Sequence, residues 1–491
     1  MCKSVPLVLV AIASSFAQTK TAAPRIWNDR DLAEWATPIA ALKVRPGHLS
    51  EAEFYSLPVA QWVRTYPVYM PGQEPKGYWE MLQSKKPEPL ITPGARTESE
   101  WISDGKRVFR EMDVPGFRSY DAKFIAKLRS PEEFRKSGRR AMKDGTVTGW
   151  RWVPTDKGLA LTISECSGCH ARIMPDGSQL DGAQSDDPTE DVFFEMLQPA
   201  NEAFLPGDSQ ATATWRQFSV PWIANDIHDS IKTMNWPEIV ALLKSNPPGT
   251  IPRFNGSPWH PTPIIDLIGI KDRKYLDYNA THRLRGPEDV ARYAVLVACC
   301  DSADFGPHHI LNEKQRLPPY RVTDEIAFSL AKYIYSLEPP KNPNRSDLRA
   351  AAGKKVFDRE GCSGCHPAPL YSNNKLTLAK GWTPPKDHPY RPDMLLFSVG
   401  TEPAAALQTR KATGLYKVPS LKGLWYRNLL SHDGSVASLE EWFDPARLRD
   451  DYVPKGFKGY RVEHRAVPGH EYGLKLPADE RTALIAFLRT L

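Results

Sequence analysis

The sequence predicts a mainly α-helical protein made of two similar units in tandem, joined by irregular segments. Three observations carry this. The pattern C-x-x-C-H occurs twice, at Cys166-Ser-Gly-Cys169-His170 and at Cys362-Ser-Gly-Cys365-His366, 196 residues apart. The stretch Gly105-Lys-Arg-Val-Phe109-Arg-Glu111 echoes Gly353-Lys-Lys-Val-Phe357-Asp-Arg-Glu360. Each half also closes on a segment with apolar residues at helical spacing: Ile326, Leu330, Tyr333, Ile334 and Leu337 in 324–337, and Leu484, Phe487, Leu488 and Leu491 in 478–491.

Composition narrows the class. The chain has 491 residues, 41% apolar and 25% charged, which is ordinary for a globular protein and enough for two or three domains. Its 14 Trp, 18 Tyr and 18 Phe supply core surface that a disordered chain lacks. The 45 Pro predict long irregular connections between short helices. A mean hydropathy of −0.46, with no long apolar run after the N-terminus, excludes an integral membrane protein. The net charge of +6 is small and dispersed, with no basic stripe carrying interleaved aromatics, so nucleic acid is not an expected partner.

Residues 1–17 read as a secretory signal: Lys3, then the apolar run Leu7–Ala13, then Ser15-Phe16-Ala17 as a small-x-small cleavage site. Cys2 precedes the apolar run and is not read as a lipid-anchor cysteine. The expected location is periplasmic or secreted, in a bacterium. Exported proteins usually spend cysteine on disulfides. Here four of seven cysteines lie in the two C-x-x-C-H motifs, and Cys299-Cys300 form a vicinal pair, read as buried free thiols with a strained disulfide as the alternative.

The C-x-x-C-H spacing suits one chemistry closely. Two thiols about one helical turn apart form thioethers with the vinyl groups of a haem, and the following His reaches the iron. A zinc site would need further Cys or His close to each pair. Two covalently bound haem c groups are therefore expected. Cys166, Cys169, Cys362 and Cys365 attach them, and His170 and His366 are iron ligands. The predicted organisation follows. Residues 18–100 form a short N-terminal extension, and 101–337 a first cytochrome c-like domain with an insertion between Glu111 and Cys166. Residues 338–347 are a Pro-rich linker, and 348–491 a second cytochrome c-like domain.

The sixth ligands decide between electron transfer and chemistry. In the second unit His470, just before the last helix, is the first candidate, with Met394 and His432 as runners-up. In the first unit His282, His308 and His309 are within reach of the sequence argument, with His228 and His260 further back. None has the Gly-His-Glu context of His470, and an open or weakly ligated first haem is the favoured reading. Trp236, Trp259 and Tyr278 are candidates for lying between the haems.

The stretch Tyr416-Lys-Val-Pro-Ser-Leu-Lys-Gly-Leu-Trp-Tyr-Arg427, followed by His432-Asp-Gly-Ser-Val-Ala-Ser-Leu-Glu-Glu441, resembles the C-terminal signature of the bacterial di-haem cytochrome c peroxidase superfamily. Gly469-His470-Glu471-Tyr472-Gly473 is most similar to its di-haem rubber-oxygenase branch. The resemblance covers roughly 101–491 and is most specific over 350–491. It implies two packed cytochrome c domains, a reactive first haem and an electron-transfer second haem. It further implies a small redox protein as electron donor or acceptor, peroxide, oxygen or a small organic molecule as substrate, and a calcium ion for which the sequence offers no ligand pattern. The expected function is an exported di-haem oxidoreductase, peroxidase- or oxygenase-like. The alternative is a non-catalytic electron-transfer cytochrome with both haems six-coordinate.

Overall fold

The computed structural model describes residues 19–187, 191–252 and 256–491. The secretory signal read at 1–17, with Cys2, lies outside the described residues. Five helices organise the two units: α1 (Glu98–Glu111), α2 (Pro287–Ala298), α3 (Asp324–Ser336), α4 (Leu348–Arg359) and α5 (Ala478–Arg489). None is long and apolar enough to cross a membrane among the described residues.

The repeat seen in the sequence becomes the same helix crossing twice. Thr97 starts α1 with a capping box to Glu100, and Asp347 caps α4 through the amide of Ala350. In α1 the buried face is Trp101, Gly105, Val108 and Phe109; in α4 it is Ala350, Gly353, Val356 and Phe357. Both stripes follow the i, i+3, i+4, i+7 spacing of a one-sided helix. The glycines sit where the partner helix passes. A Cβ on Gly105 would lie 1.9 Å from the Ser329 carbonyl oxygen of α3, and one on Gly353 would lie 1.9 Å from that of Ala483 in α5. Phe109 packs edge-on to Tyr333, and Phe357 to Phe487, at 5.6 and 5.3 Å between ring centres.

The expectation of a mainly α protein is overturned. The chain is 33% helical and 13% strand, a mixed architecture with several small sheets. The larger ones are β1–β2–β3 and β5–β4–β6, in sheet order. Here β1 is Tyr66–Tyr69, β2 Thr146–Thr155, β3 Gly158–Ile163, β4 Leu376–Leu378, β5 Met394–Leu395 and β6 Leu415–Lys417. The reason lies in the insertion. Thr146-Val-Thr-Gly-Trp-Arg-Trp-Val-Pro-Thr155 is β-branched and aromatic, and it turns back at Asp156-Lys157 to pair antiparallel with β3, Trp152 opposite Leu161. The N-terminal extension supplies β1 to the same sheet. It also sends Ile26, Trp27, Trp35, Phe54 and Trp62 into the core around α1, α2 and α3. The indole nitrogens of these tryptophans find backbone carbonyls, Trp27 to Leu49 at 2.8 Å and Trp62 to Asp113 at 3.0 Å.

The crossings tolerate no side chain, because the nearest atoms are backbone. Gly105→Ala and Gly353→Ala are each expected to lower the unfolding free energy by about 3 kcal/mol, the upper end of the usual overpacking cost. Chemical denaturation of the two variants measures this. Gly364→Ala, where a Cβ meets nothing within 4 Å, is the control expected to change little.

Candidate haem sites

The first C-x-x-C-H follows β3 directly. The amides of Ser164 and Glu165 bond the carbonyls of Gly149 and Met112 at 2.8 and 2.9 Å, which pins the segment between the sheet and the end of α1. The amides of Cys169 and His170 both return to the Cys166 carbonyl, at 3.2 and 2.9 Å. This turn brings both thiols and the imidazole to one cavity of about 1240 Å³, its open mouth included. Apolar residues of α2 and α3, among them Val290, Ala294, Ile326 and Leu330, line much of it. His170 Nδ1 bonds the Ile265 carbonyl at 2.9 Å. A carbonyl only accepts, so Nδ1 carries a proton, which leaves Nε2 as the nitrogen that would ligate a metal.

The second motif repeats the construction. The amides of Cys365 and His366 reach the Cys362 carbonyl at 3.3 and 2.9 Å, and His366 Nδ1 bonds the Tyr371 carbonyl at 3.0 Å. Facing it is His470, with ring centres 6.4 Å apart. A metal ion held at ~2 Å by one nitrogen of each ring sets their centres about 6 Å apart. Burial, and then the neighbouring His366, push the His470 pKa down to about 4, so its imidazole is neutral. Trp442 and Tyr472 flank the ring at 5.3 and 5.2 Å.

The loop carrying His470 is held by a residue that motif reading missed. Arg447, 1% exposed, donates to the carbonyls of Val467 at 2.5 Å, Gly469 at 2.9 Å and His470 at 3.0 Å. Gly469 adopts a positive φ of 88° and passes so close to Thr401 that a Cβ would lie 2.4 Å from its amide nitrogen. The sequence signal was the Gly-His pair; the arginine, far from it along the chain, gave none.

The structure separates the other candidates. Met394 lies in β5 and packs with Tyr275, Tyr390 and Leu415 as a core residue. His432 packs edge-on to Tyr416 at 5.1 Å, its Nε2 3.7 Å from a Glu402 carboxylate oxygen. Among the described residues, His170 is the one histidine lining the first cavity. His282 sits instead among Trp35, His48 and Tyr293. His308 and His309 form a short strand; His308 packs on Trp222 and His309 pairs with Asp304 at the surface. His228 is fully buried against Asp226 and Trp259. Burial pushes His260 down to about 4, against the pull of Glu402. Cys299 and Cys300 are free thiols, and burial raises the pKa of Cys300.

A second cavity, about 1050 Å³, lies between the two units. Ile265, whose carbonyl holds His170, lines it, and so do Pro419, Tyr278 and Lys417. Tyr278 is therefore at the junction, whereas Trp236 and Trp259 pack in a separate cluster around Phe218 and Ile239. Arg273 and Lys417 line both cavities, and Arg427 lines the second. Burial, with Arg273 next, pushes Lys417 down to about 7. Of the three, Arg427 is paired, with Asp266 at 3.3 Å.

These arrangements fit a haem at each motif. At the first, two thiols, an imidazole and a mostly apolar cavity suit the macrocycle, and cations suit its carboxylates; at the second, two thiols stand beside a pair of facing imidazoles. Cys166, Cys169 and His170 would hold one group, with Arg273 and Lys417 beside it; Cys362, Cys365, His366 and His470 would hold the other. For calcium, no cluster of three or more His, Cys, Asp or Glu side chains able to hold an ion occurs among the described residues.

No family model matches the chain, and no curated protein matches it. Among solved structures, a hydrazine synthase chain from Kuenenia stuttgartiensis, studied under xenon pressure, is similar at 14% identity and a TM-score of 0.27. The match covers 48% of this chain and 73% of that one. A likeness of that size carries no argument about fold or function.

Removing the clamp has a local signature. Arg447→Leu is expected to cost about 3 kcal/mol, because the carbonyls of Trp442, Val467, Gly469 and His470 lose a charged donor. Hydrogen exchange at the His470 amide, bonded to the Val399 carbonyl at 2.7 Å, is expected to speed up more than exchange in α5.

Proposed function

We propose that the protein is an exported di-haem c-type oxidoreductase in which the His170 haem is the reactive centre and the His366 haem transfers electrons. The supporting observation is the asymmetry between two identical motifs. His366 faces a second imidazole at 6.4 Å, while the cavity beside His170 is lined by no other histidine. The signature over 416–441 and the Gly-His-Glu at 469–471 support a reading within the di-haem peroxidase and oxygenase superfamily.

A haem with an open position binds peroxide or oxygen, and one with two protein ligands exchanges electrons. The rest belongs to this chain. The backbone carbonyls of Ile265 and Tyr371 orient the two proximal imidazoles. The apolar side chains of α2 and α3 would wall the group that the first motif holds. Tyr278, at the junction of the units, offers an aromatic step between them. A small redox protein is the proposed partner, and the periplasm or the exterior the proposed location.

Denaturing mass spectrometry is expected to find the processed chain plus two haems. Cys362→Ala with Cys365→Ala should remove one and leave the other. Low-temperature EPR of the oxidised protein is expected to show one high-spin and one low-spin ferric signal, with cyanide converting only the former. His470→Gly should abolish the native low-spin signal, while Met394→Ala and His432→Ala preserve it. Two low-spin signals, with neither haem binding cyanide in either redox state, would leave an electron carrier instead.

A further inference from the structure

His282 stands behind the wall of the first cavity, and that wall holds it in place. Asp277 and Tyr293 line the cavity together. The Tyr293 hydroxyl, from α2, lies 2.7 Å from both oxygens of the Asp277 carboxylate. Asp277 opens the turn between the short strands Tyr275–Leu276 and His282–Arg283, at a positive φ of 59°. The Thr281 hydroxyl donates to Asp277, and the same oxygen lies 2.9 Å from His282 Nδ1. A hydroxyl has one hydrogen, and here it goes to the carboxylate. The bond to His282 then runs from Nδ1–H to the Thr281 oxygen, which leaves Nε2 with its lone pair. Carboxylate, hydroxyl and imidazole in a row give the outer support that orients a metal-binding histidine.

The N-terminal extension brings a second imidazole to the same place. Ala36 bridges to His282, the Arg283 amide bonds the Trp35 carbonyl at 2.9 Å, and the Gly47 amide bonds the Asp304 carbonyl at 2.8 Å. The ring centres of His48 and His282 are 5.9 Å apart. Two imidazoles that share one metal ion, each nitrogen at ~2 Å, have their centres about 6 Å apart. His48 Nδ1 lies 3.1 Å from the Ser302 hydroxyl oxygen, and a proton held there leaves Nε2 free. The Nε2 atoms of both rings are buried and have no hydrogen-bond partner among the described residues. Burial, with Lys411 next, pushes His48 down to about 3 and holds His282 well below the usual histidine value, so both rings are neutral.

The surroundings narrow the kind of ion. Trp35, fully buried, stands beside the pair, its ring centre 5.4 Å from that of His48 and 4.3 Å from that of His282. Trp27 packs on His48 at 6.0 Å and Tyr293 on His282 at 5.5 Å. The Lys411 ammonium bonds Asp301, so that pair cancels its own charge, and the second Asp301 oxygen is buried without a hydrogen-bond partner among the described residues. No cluster of three or more His, Cys, Asp or Glu side chains able to hold an ion occurs among the described residues, so the two nitrogens stand alone as donors. Zinc takes four ligands, and a double charge is costly to bury. A monovalent, closed-shell ion is satisfied by two imidazole nitrogens, and copper suits imidazole. We propose that His48 and His282 bind one Cu+ ion between their Nε2 atoms, at a site separate from both haem motifs. The inference does not rest on the functional reading above. Two Cu–N bonds form, no proton leaves because both lone pairs are already free, and the copper stays in its monovalent state.

Copper transfer to the purified full-length protein tests this. Cu+ is offered without oxygen as its bicinchoninate complex, and the fall in that complex's absorbance counts the ions taken up. Uptake of one Cu+ per chain is expected, and X-ray absorption at the copper edge should show a nitrogen shell without sulfur. His48→Gln and His282→Gln should each weaken uptake at least about tenfold, since even an outer-shell partner is worth that much in metal affinity. His48→Gln serves alone if His282→Gln fails to fold, because His48 lies outside the Asp277 turn. Replacing Cys299 and Cys300 together by Ser should leave uptake as in the wild type. A wild-type protein that takes up no copper overturns the proposal and leaves the two nitrogens to a buried water. A sulfur shell, uptake lost with the two cysteines, uptake kept in both histidine variants, or zinc retained as tightly as copper overturns it too.

Discussion

Everything in the two units hangs on a helix crossing at backbone contact. Gly105 lets α1 touch the Ser329 carbonyl of α3, and Gly353 lets α4 touch the Ala483 carbonyl of α5. In both places the aromatic four residues on, Phe109 or Phe357, locks edge-on against a ring of the partner helix. A larger residue at either glycine would push the helices apart and open the floor on which the attachment segment rests. In the second unit only Glu360 and Gly361 separate the end of α4 from Cys362, so the crossing aims the motif directly. In the first unit the chain leaves α1, builds a sheet and returns at Cys166 beside Met112, at the end of the same helix. The insertion is long in sequence and closes on itself in space.

Identical local chemistry then meets different surroundings. Each motif turns on a bond from its histidine amide to the first cysteine carbonyl, and each histidine gives Nδ1–H to a backbone carbonyl. Both imidazoles are held alike. What differs is the opposite wall. In the second unit the buried Arg447 draws three carbonyls of the 467–470 loop inward and presents His470. In the first unit the wall is made by α2, α3 and the Asp277 turn, and it carries a carboxylate held by hydroxyls rather than a second imidazole. One local construction thus stands before a second imidazole in one unit and before a mostly apolar wall in the other. The difference comes from which loop is pulled in and which helix stands across.

The sheets, absent from the sequence-based expectation, do structural work around the first site. β1 from the N-terminal extension and β2–β3 from the insertion make a three-stranded sheet whose last strand leads into Cys166. The extension also buries several large aromatics against α1, α2 and α3. The alternation of β-branched and aromatic residues over 146–155 was present in the sequence, but β1 is only four residues long and pairs with a strand far along the chain. Short strands whose partners are distant leave little periodicity to read.

What the sequence alone determined is what depends on short range. The two C-x-x-C-H turns, the glycine-aromatic repeat, the closing helices and the special context of His470 are all set by spacings of a few residues, because hydrogen-bonded turns and helical periodicity act over one or two turns. The tertiary structure decided the rest. It sent Met394 and His432 to packing and pairing roles and brought His366 and His470 face to face. It removed His282 from the first cavity to stand behind Thr281, and set Asp277 and Tyr293 into that cavity's wall. It placed Tyr278, with Arg273 and Lys417, where the two units meet. These outcomes rest on contacts between residues far apart in the chain, and such contacts exist only once the helices have crossed and the loops between them have closed.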